Sequence, residues 1–260
     1  MGTQTLAGRT AIVTGGLQGI GLAIAKELAR QGARVAVGAR SAGDPELAAR
    51  VKDEIGETAM VAPLDVRFLE TIQSFMDTVQ RELAAADILV NAAGKTIHQT
   101  VTGHTDEAWE EIIDINLNGP FRMIRACLPH MKEQGWGRIV NIGSTAARVA
   151  EATHPAYCAS KAGLIGLTRA VALEGGPDGI TAVAVSPGWV ETDMLRESAR
   201  TMAAKSGRTF EEEIAAMGQS NPQNRLIQPE EIAALVAFCC CDAAAGLTME
   251  DIQVNAGALW

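Results

Sequence analysis

Between residues 10 and 32 the sequence changes character twice. Thr10-Ala11-Ile12-Val13 is a short β-rich run. It is followed by Thr14-Gly15-Gly16-Leu17-Gln18-Gly19-Ile20-Gly21, and then by Leu22-Ala23-Ile24-Ala25-Lys26-Glu27-Leu28-Ala29, which is helical in pattern and closed by Gly32. A strand, a glycine turn and a helix in that order restrict the fold more than any other stretch of the chain. Glycines let the backbone come close to a pyrophosphate, and the N-terminus of the following helix offers N–H groups that no helical carbonyl has taken. Without its flanks the motif would mean little; with them it points to a dinucleotide site rather than a structural turn.

The same alternation continues. Further strand-like runs are Arg34-Val35-Ala36-Val37, Met60 to Val66, Asp87 to Gly94, Arg138 to Ile142, Thr181 to Val185 and Asp251 to Val254, with helical patterns at 44–55, 69–84, 106–132 and 156–173 and a last one opened by Pro229-Glu230-Glu231. Strands and helices at this spacing predict an α/β fold of a single domain: a doubly wound parallel sheet of about seven strands with helices on both faces. In the long pattern 106–132, Asn118-Gly119-Pro120 is expected to kink the helix or loosen a turn, because proline removes a backbone donor. Residues 191–224 read as polar, helical and interrupted by Gly207, Gly218 and Pro222, which predicts a mobile flap over the site.

Composition narrows the class. The chain has 260 residues, is 47% hydrophobic, and carries a net charge of −9 without a basic cluster, so nucleic acid and anionic membranes are not expected partners. No apolar run is long enough to span a bilayer, and the N-terminus lacks a signal peptide's apolar segment; a cytoplasmic location is expected. Leu6 breaks the myristoylation pattern that Met1-Gly2 begins. Cys239, Cys240 and Cys241 are consecutive, which is not a metal-ligand spacing, and they are read as packing residues; no metal is expected.

The chemistry concentrates between Ser144 and Lys161. Tyr157 and Lys161 are four apart, so a helix places both on one face, and Pro155 suits the first turn of that helix. A phenol normally ionises near pH 10, and a lysine ammonium beside it favours the phenolate, which makes it a general acid–base near neutral pH. Tyr157 is the only tyrosine in the chain, which weighs against a residue used merely for packing. Ser144 follows the run Arg138-Ile139-Val140-Asn141-Ile142, just past a strand's C-terminal end, where open α/β sheets bind ligands. At the end of the second strand stands Gly38-Ala39-Arg40-Ser41 instead of the acid that would hold a ribose 2′-OH. Arg40 and Ser41 suit a 2′-phosphate, so NADP(H) is favoured over NAD(H), unless Arg40 is simply solvated.

Taken together the motifs resemble the short-chain dehydrogenase/reductase family, in its branch of roughly 250 residues, over essentially all of Gly8 to Trp260. The resemblance implies a Rossmann-type fold. It implies a cofactor site at Gly15, Gln18, Gly19, Ile20 and Gly21, at Arg40 and Ser41, at Asp65 and Val66 beside the adenine, at Asn91, Ala92 and Gly94 of the sheet-stabilising N-x-A-G, at Tyr157 and Lys161, and at Pro187, Gly188, Val190 and Thr192 beside the carboxamide. It implies a catalytic tetrad. Ser144 polarises the carbonyl, Tyr157 exchanges the proton, Lys161 holds the ribose and lowers the phenol's pKa, and Asn116 positions a water. It also implies a homotetramer acting on a small-molecule carbonyl or alcohol. Two motifs depart from the family's: T-G-Q is Thr248-Met249-Glu250, and V-D-G-G is Val254-Asn255-Ala256-Gly257.

The expected activity is therefore NAD(P)(H)-dependent interconversion of a secondary alcohol and a ketone. A 3-oxoacyl-carrier-protein reductase is the alternative within the family, and a catalytically silent dinucleotide-binding module the alternative outside enzymes. Proximity to the motifs nominates Thr96, His98, Ala146, Glu151, His154 and Trp189 as substrate-pocket walls, with His154 suited to a substrate carboxylate or else an ordinary loop histidine.

Overall fold

The computed structural model describes residues 5–56, 59–150 and 152–258. Among these described residues seven strands form one sheet: β1 (Thr10–Thr14), β2 (Arg34–Ala39), β3 (Ala59–Pro63), β4 (Ile88–Asn91), β5 (Gly137–Ile142), β6 (Ile180–Pro187) and β7 (Asp251–Val254), ordered β3-β2-β1-β4-β5-β6-β7. Every pairing is parallel. The helices between them are α1 (Gly19–Arg30), α2 (Pro45–Ile55), α3 (Leu69–Glu82), α4 (Asp106–Ile113), α5 (Gly119–Gln134), α6 (Pro155–Gly175), α7 (Asp193–Ser206), α8 (Phe210–Gln219) and α9 (Pro229–Cys240).

The central strands are mainly apolar because both of their faces are covered, with Thr10, Thr14, Asn91, Arg138 and Asn141 as buried polar exceptions near their ends. Successive side chains point to opposite faces, and each strand accordingly divides its residues between two cores. Ala11, Val13, Val35, Val37, Ile88, Val90, Val140, Ile142, Val183 and Val185 pack under α1 and α9, while Ile12, Ala36, Leu89, Ile139 and Ala182 pack under α3, α5 and α6. The order of the strands reverses between β1 and β4. Such a reversal leaves a crevice beyond the carboxyl ends of the strands, and the glycine turn opens into it.

Several boundaries differ from the sequence reading. Asp65 and Val66 lie beyond β3, which ends at Pro63 where a proline cannot donate to a further ladder bond. The pattern at 106–132 is not one helix but two, joined by a π-helical turn at Asp114–Asn118, in which the Gly119 N–H reaches back five residues to the Asp114 carbonyl. The loosened turn thus falls just before Pro120 and contains Asn116. Residues 191–224 hold α7 and α8, and the segment is less polar throughout than expected, since Leu195, Ala199 and Met217 make a small core of their own with Trp189 and Phe210. The charges lie outside this core and pair locally, as in Arg196–Glu191 at 2.7 Å and Arg200–Glu197 at 3.2 Å.

Candidate active site

The glycine turn works through close approach. A Cβ on Gly15, whose φ is +70°, would lie 2.7 Å from the Ala93 Cα, and one on Gly21 would lie 2.4 Å from the Gly15 carbonyl oxygen. Thr14 closes the same corner by accepting the amides of Ala92 and Ala93 at 3.2 and 3.1 Å. In the sequence Thr14 stands out only as the first residue of the glycine motif. Gln18, the N-cap of α1, makes no side-chain capping bond, and the first turn of the helix carries no acid. Its N–H groups therefore face the crevice with a favourable dipole for an anion.

One cavity of about 580 Å³ runs along the carboxyl ends of the strands. Every residue expected to hold the cofactor lines it except Asn91. Asn91 is buried below the cavity and donates Nδ2 to Asn141 Oδ1 at 2.9 Å; Asn141 in turn donates to Thr168 at 2.8 Å. Its side chain braces β4 against β5 and α6, the place of a sheet-stabilising residue, and the backbone after it, from Ala92 to Gly94, forms the wall. Such a wall, with no room for a Cβ at the turn and an open helix N-terminus beside it, fits a dinucleotide.

At the end of the cavity below β2, Arg40 and Ser41 are exposed and are joined by Arg50 of α2, which the sequence reading missed. Arg50 follows Leu47 by three positions, the spacing of one helix face, and both line the cavity. Asp65 is tied to Arg67, which donates Nη2 at 2.6 Å and Nε at 3.0 Å. That hydrogen bonding holds the Asp65 carboxyl below its usual range, with a smaller contribution from the charge of Arg40.

At the other end stand Ser144, Tyr157 and Lys161. Pro155 opens α6 as expected, and His154 precedes it as the N-cap. Lys161 is buried and donates Nζ to the Ile142 carbonyl at 2.7 Å, with Nζ 5.6 Å from the centre of the Tyr157 ring. Burial pushes its ammonium down to about 8. Ser144 accepts the Ala146 amide on its hydroxyl oxygen at 3.1 Å, which directs the hydroxyl hydrogen elsewhere.

Asn116 does not line this cavity, and its side chain is fully engaged. Oδ1 accepts the Lys95 amide at 2.9 Å, and Nδ2 donates to the Lys95 carbonyl at 2.9 Å and to Ser160 Oγ at 3.1 Å. Ser160 donates on to the Tyr157 carbonyl at 2.8 Å. The side chain is a brace between the loop after β4, the π turn and α6.

On the substrate side, Thr96, Ala146, His154 and Trp189 line the cavity, joined by Met194, Leu195 and Ser198 of α7. His98 lines an adjoining cleft of about 400 Å³. Its ring meets that of His154 edge-on with centroids 4.1 Å apart, and its Nε2 lies 3.1 Å from Ser198 Oγ. Glu151 lies outside the described residues. Among the described residues, no group of three His, Cys, Asp or Glu is placed to hold a metal ion. Of the cysteine run, Cys239 and Cys240 are buried and burial raises their thiols, to about 11 for Cys239.

The sequence model described as short chain dehydrogenase matches residues 9–203. The chain belongs to the short-chain dehydrogenase family. It is 37% identical over 258 residues to D-beta-hydroxybutyrate dehydrogenase of Cupriavidus necator, covering 98% of this chain and 96% of that one. It is 39% identical over 254 residues to the 3-oxoacyl-[acyl-carrier-protein] reductase FabG of Pseudomonas aeruginosa, covering 98% of each. Among solved structures, a Phe-to-Trp variant of actinorhodin polyketide ketoreductase with NADPH superposes with a TM-score of 0.92 at 35% identity over 99% of both chains. The family resemblance and the Rossmann-type sheet read from the sequence both stand.

Proposed function

We propose that the chain is an NADP(H)-preferring oxidoreductase that interconverts a ketone and a secondary alcohol, with Tyr157 exchanging the proton. One observation carries this reading: the glycine turn, Arg40 and Ser41, and Ser144, Tyr157 and Lys161 all face one continuous cavity. When bound, the nicotinamide supplies or accepts the hydride, chemistry that no side chain provides. The chain's own residues do the rest. The backbone of 15–21 receives the pyrophosphate, Asp65 and Val66 flank the adenine, and Pro187, Gly188, Val190 and Thr192 border the reacting end. The Ser144 hydroxyl donates to the substrate oxygen, the Tyr157 phenol gives that oxygen a proton in reduction or takes one in oxidation, and charged Lys161 favours the phenolate between turnovers.

Preference for NADP(H) is supported by Arg40, Ser41 and Arg50 at one end of the cavity, and by the neutralisation of Asp65 by Arg67, which leaves that end cationic. The names of the relatives point to two substrate types, 3-hydroxy acids and 3-oxoacyl thioesters. His98 and His154 beside the cavity favour an anionic or strongly polar group. A homotetramer in the cytoplasm, with α7 and α8 as a mobile flap, completes the reading. No helix of the described residues is long and apolar enough to cross a membrane.

The test is direct. Protein is mixed with NADPH or NADH and with acetoacetate or its neutral ethyl ester, and loss of reduced-nicotinamide absorbance is followed. The expected result is turnover at least about tenfold more efficient with NADPH, the scale of one lost charge-assisted contact. Binding of NADPH without turnover of either ketone or of a wider ketone panel would leave the silent dinucleotide-binding module. Equal use of both cofactors would remove Arg40 as a phosphate ligand.

A further inference from the structure

Asp251 opens the edge strand β7, yet only 1% of its side chain is exposed. A carboxylate in such a place is costly unless it is paired and hydrogen-bonded, and here three donors converge on it. Ser186 of β6 donates its hydroxyl to Oδ1 at 2.5 Å, Gln253 donates Nε2 to Oδ2 at 3.0 Å, and Arg148 donates Nε to Oδ2 at 2.8 Å. Arg148 also donates Nη2 to the Asp251 carbonyl at 3.3 Å.

Arg148 terminates the short helical turn Thr145–Ala147 that Ser144 caps. The Ala147 amide donates to the Ser144 carbonyl at 3.0 Å, and the Arg148 amide to the Thr145 carbonyl at 2.9 Å. The near end of this turn is fixed where Gly143 donates its amide to the Val185 carbonyl at 2.7 Å. Contact there is so close that a Cβ on Gly143 would lie 2.4 Å from Ser186 Oγ. The far end is fixed by the guanidinium, which reaches past β6 to β7. Ser186 takes part at both ends, since it abuts Gly143 and donates to Asp251. The Ser144 hydroxyl is thus held between two anchors that share one buried carboxylate network.

We propose that Arg148 and Asp251 are positioning residues for Ser144: their ion pair fixes the turn that aims the Ser144 hydroxyl into the cavity. This rests on the reading of the site given above. Neither residue lines the cavity, so their effect on a reaction would pass through Ser144. The pair is therefore expected to matter only while the Ser144 hydroxyl is present, which separates positioning from general support of the fold.

The experiment measures kcat/KM for ethyl acetoacetate with NADPH in wild type, Arg148→Ala, Ser144→Ala and the double variant, with Arg148→Lys and Tyr157→Phe beside them. Arg148 is 46% exposed, so its truncation opens no cavity, and Ser186 and Gln253 still donate to Asp251; urea unfolding of each variant checks that the loss of the ion pair leaves the fold intact. Arg148→Ala is expected to lower kcat/KM by roughly tenfold in the wild-type background, as a small misplacement of a reacting group does, and by less than about twofold in the Ser144→Ala background, where the two changes cease to add. Arg148→Lys should recover part of the loss, and NADPH affinity should stay constant in both Arg148 variants. Equal losses in both backgrounds, or no loss in the first, would overturn the proposal. An enzyme that depends on Tyr157 but ignores Arg148→Ala fails the proposal alone; a protein in which Tyr157→Phe costs nothing fails the reading of the site, and the proposal with it.

Discussion

Lys161 illustrates how a single residue ties function to stability. It is buried against a backbone carbonyl at 2.7 Å, and burial pushes its pKa down from 10.5 to about 8. A lysine in the unfolded chain still binds its proton where the folded one has released it, so between about pH 8 and pH 10.5 the unfolded state holds more protons and the folded state gains stability as pH rises. Below pH 8 both states are protonated and the full cost of burying the charge is present. Urea unfolding of ligand-free wild type and Lys161→Met at several pH values should therefore show wild type gaining about 2 kcal/mol relative to the variant between pH 8 and pH 10, at about 1.4 kcal/mol per unit. A constant difference across that range would mean that the charge is well solvated. Tyr157, Lys161 and Ser144 were legible in the sequence because their spacing and their position after a strand carry the chemistry. Asn116 and Asn91 were legible only as motif positions. What their side chains do depends on partners 21 and 50 residues away, and no local pattern encodes those partners.

Among the elements, the glycine turn is the most constrained. Gly8 and Gly15 both have positive φ, +83° and +70°, but a Cβ on Gly8 would meet nothing within 4 Å, whereas one on Gly15 would strike the backbone of Ala93 at 2.7 Å. Gly8→Ala should cost roughly 1 kcal/mol for the left-handed conformation alone. Gly15→Ala should cost at least about 3 kcal/mol, because the strand end must also move, and should weaken NADPH binding as well. Similar costs in urea unfolding would mean that the contact relaxes freely. The order of strands and helices was readable from alternation of pattern, whereas the π turn was not, since Asp114–Asn118 continues the helical periodicity on both sides. The departures near the C-terminus acquire a physical meaning in the structure. Met249 and Ala256 stand where the family's motifs carry glycine, and both adopt positive φ, +67° and +53°, so the turns keep the conformation that glycine would have eased. The network around Asp251 joins β7 to the turn after β5 across 103 positions of sequence, and nothing near either residue announces it.

For the whole molecule, the central question is whether the cavity performs the reaction that its walls allow. Assembly bears on this as well. Trp109 on α4, Phe121 on α5 and Leu173 on α6 are 40%, 46% and 68% exposed, on helices that pack around one another, and Phe238 on α9 is 47% exposed. Large apolar side chains left on the surface of neighbouring helices favour contact with another copy. Light scattering after size exclusion should give a mass about four times 27.3 kDa, reduced by Leu173→Asp; a monomer at micromolar concentration would remove the homotetramer from the account. The most direct measurement compares Tyr157→Phe with wild type, titrating NADPH by fluorescence and then following ketone reduction. The account predicts NADPH affinity within about threefold of wild type and a fall in kcat of roughly a thousandfold, the scale of a lost general acid. Turnover within about twofold of wild type would contradict it, because the proton would then come from somewhere other than the phenol.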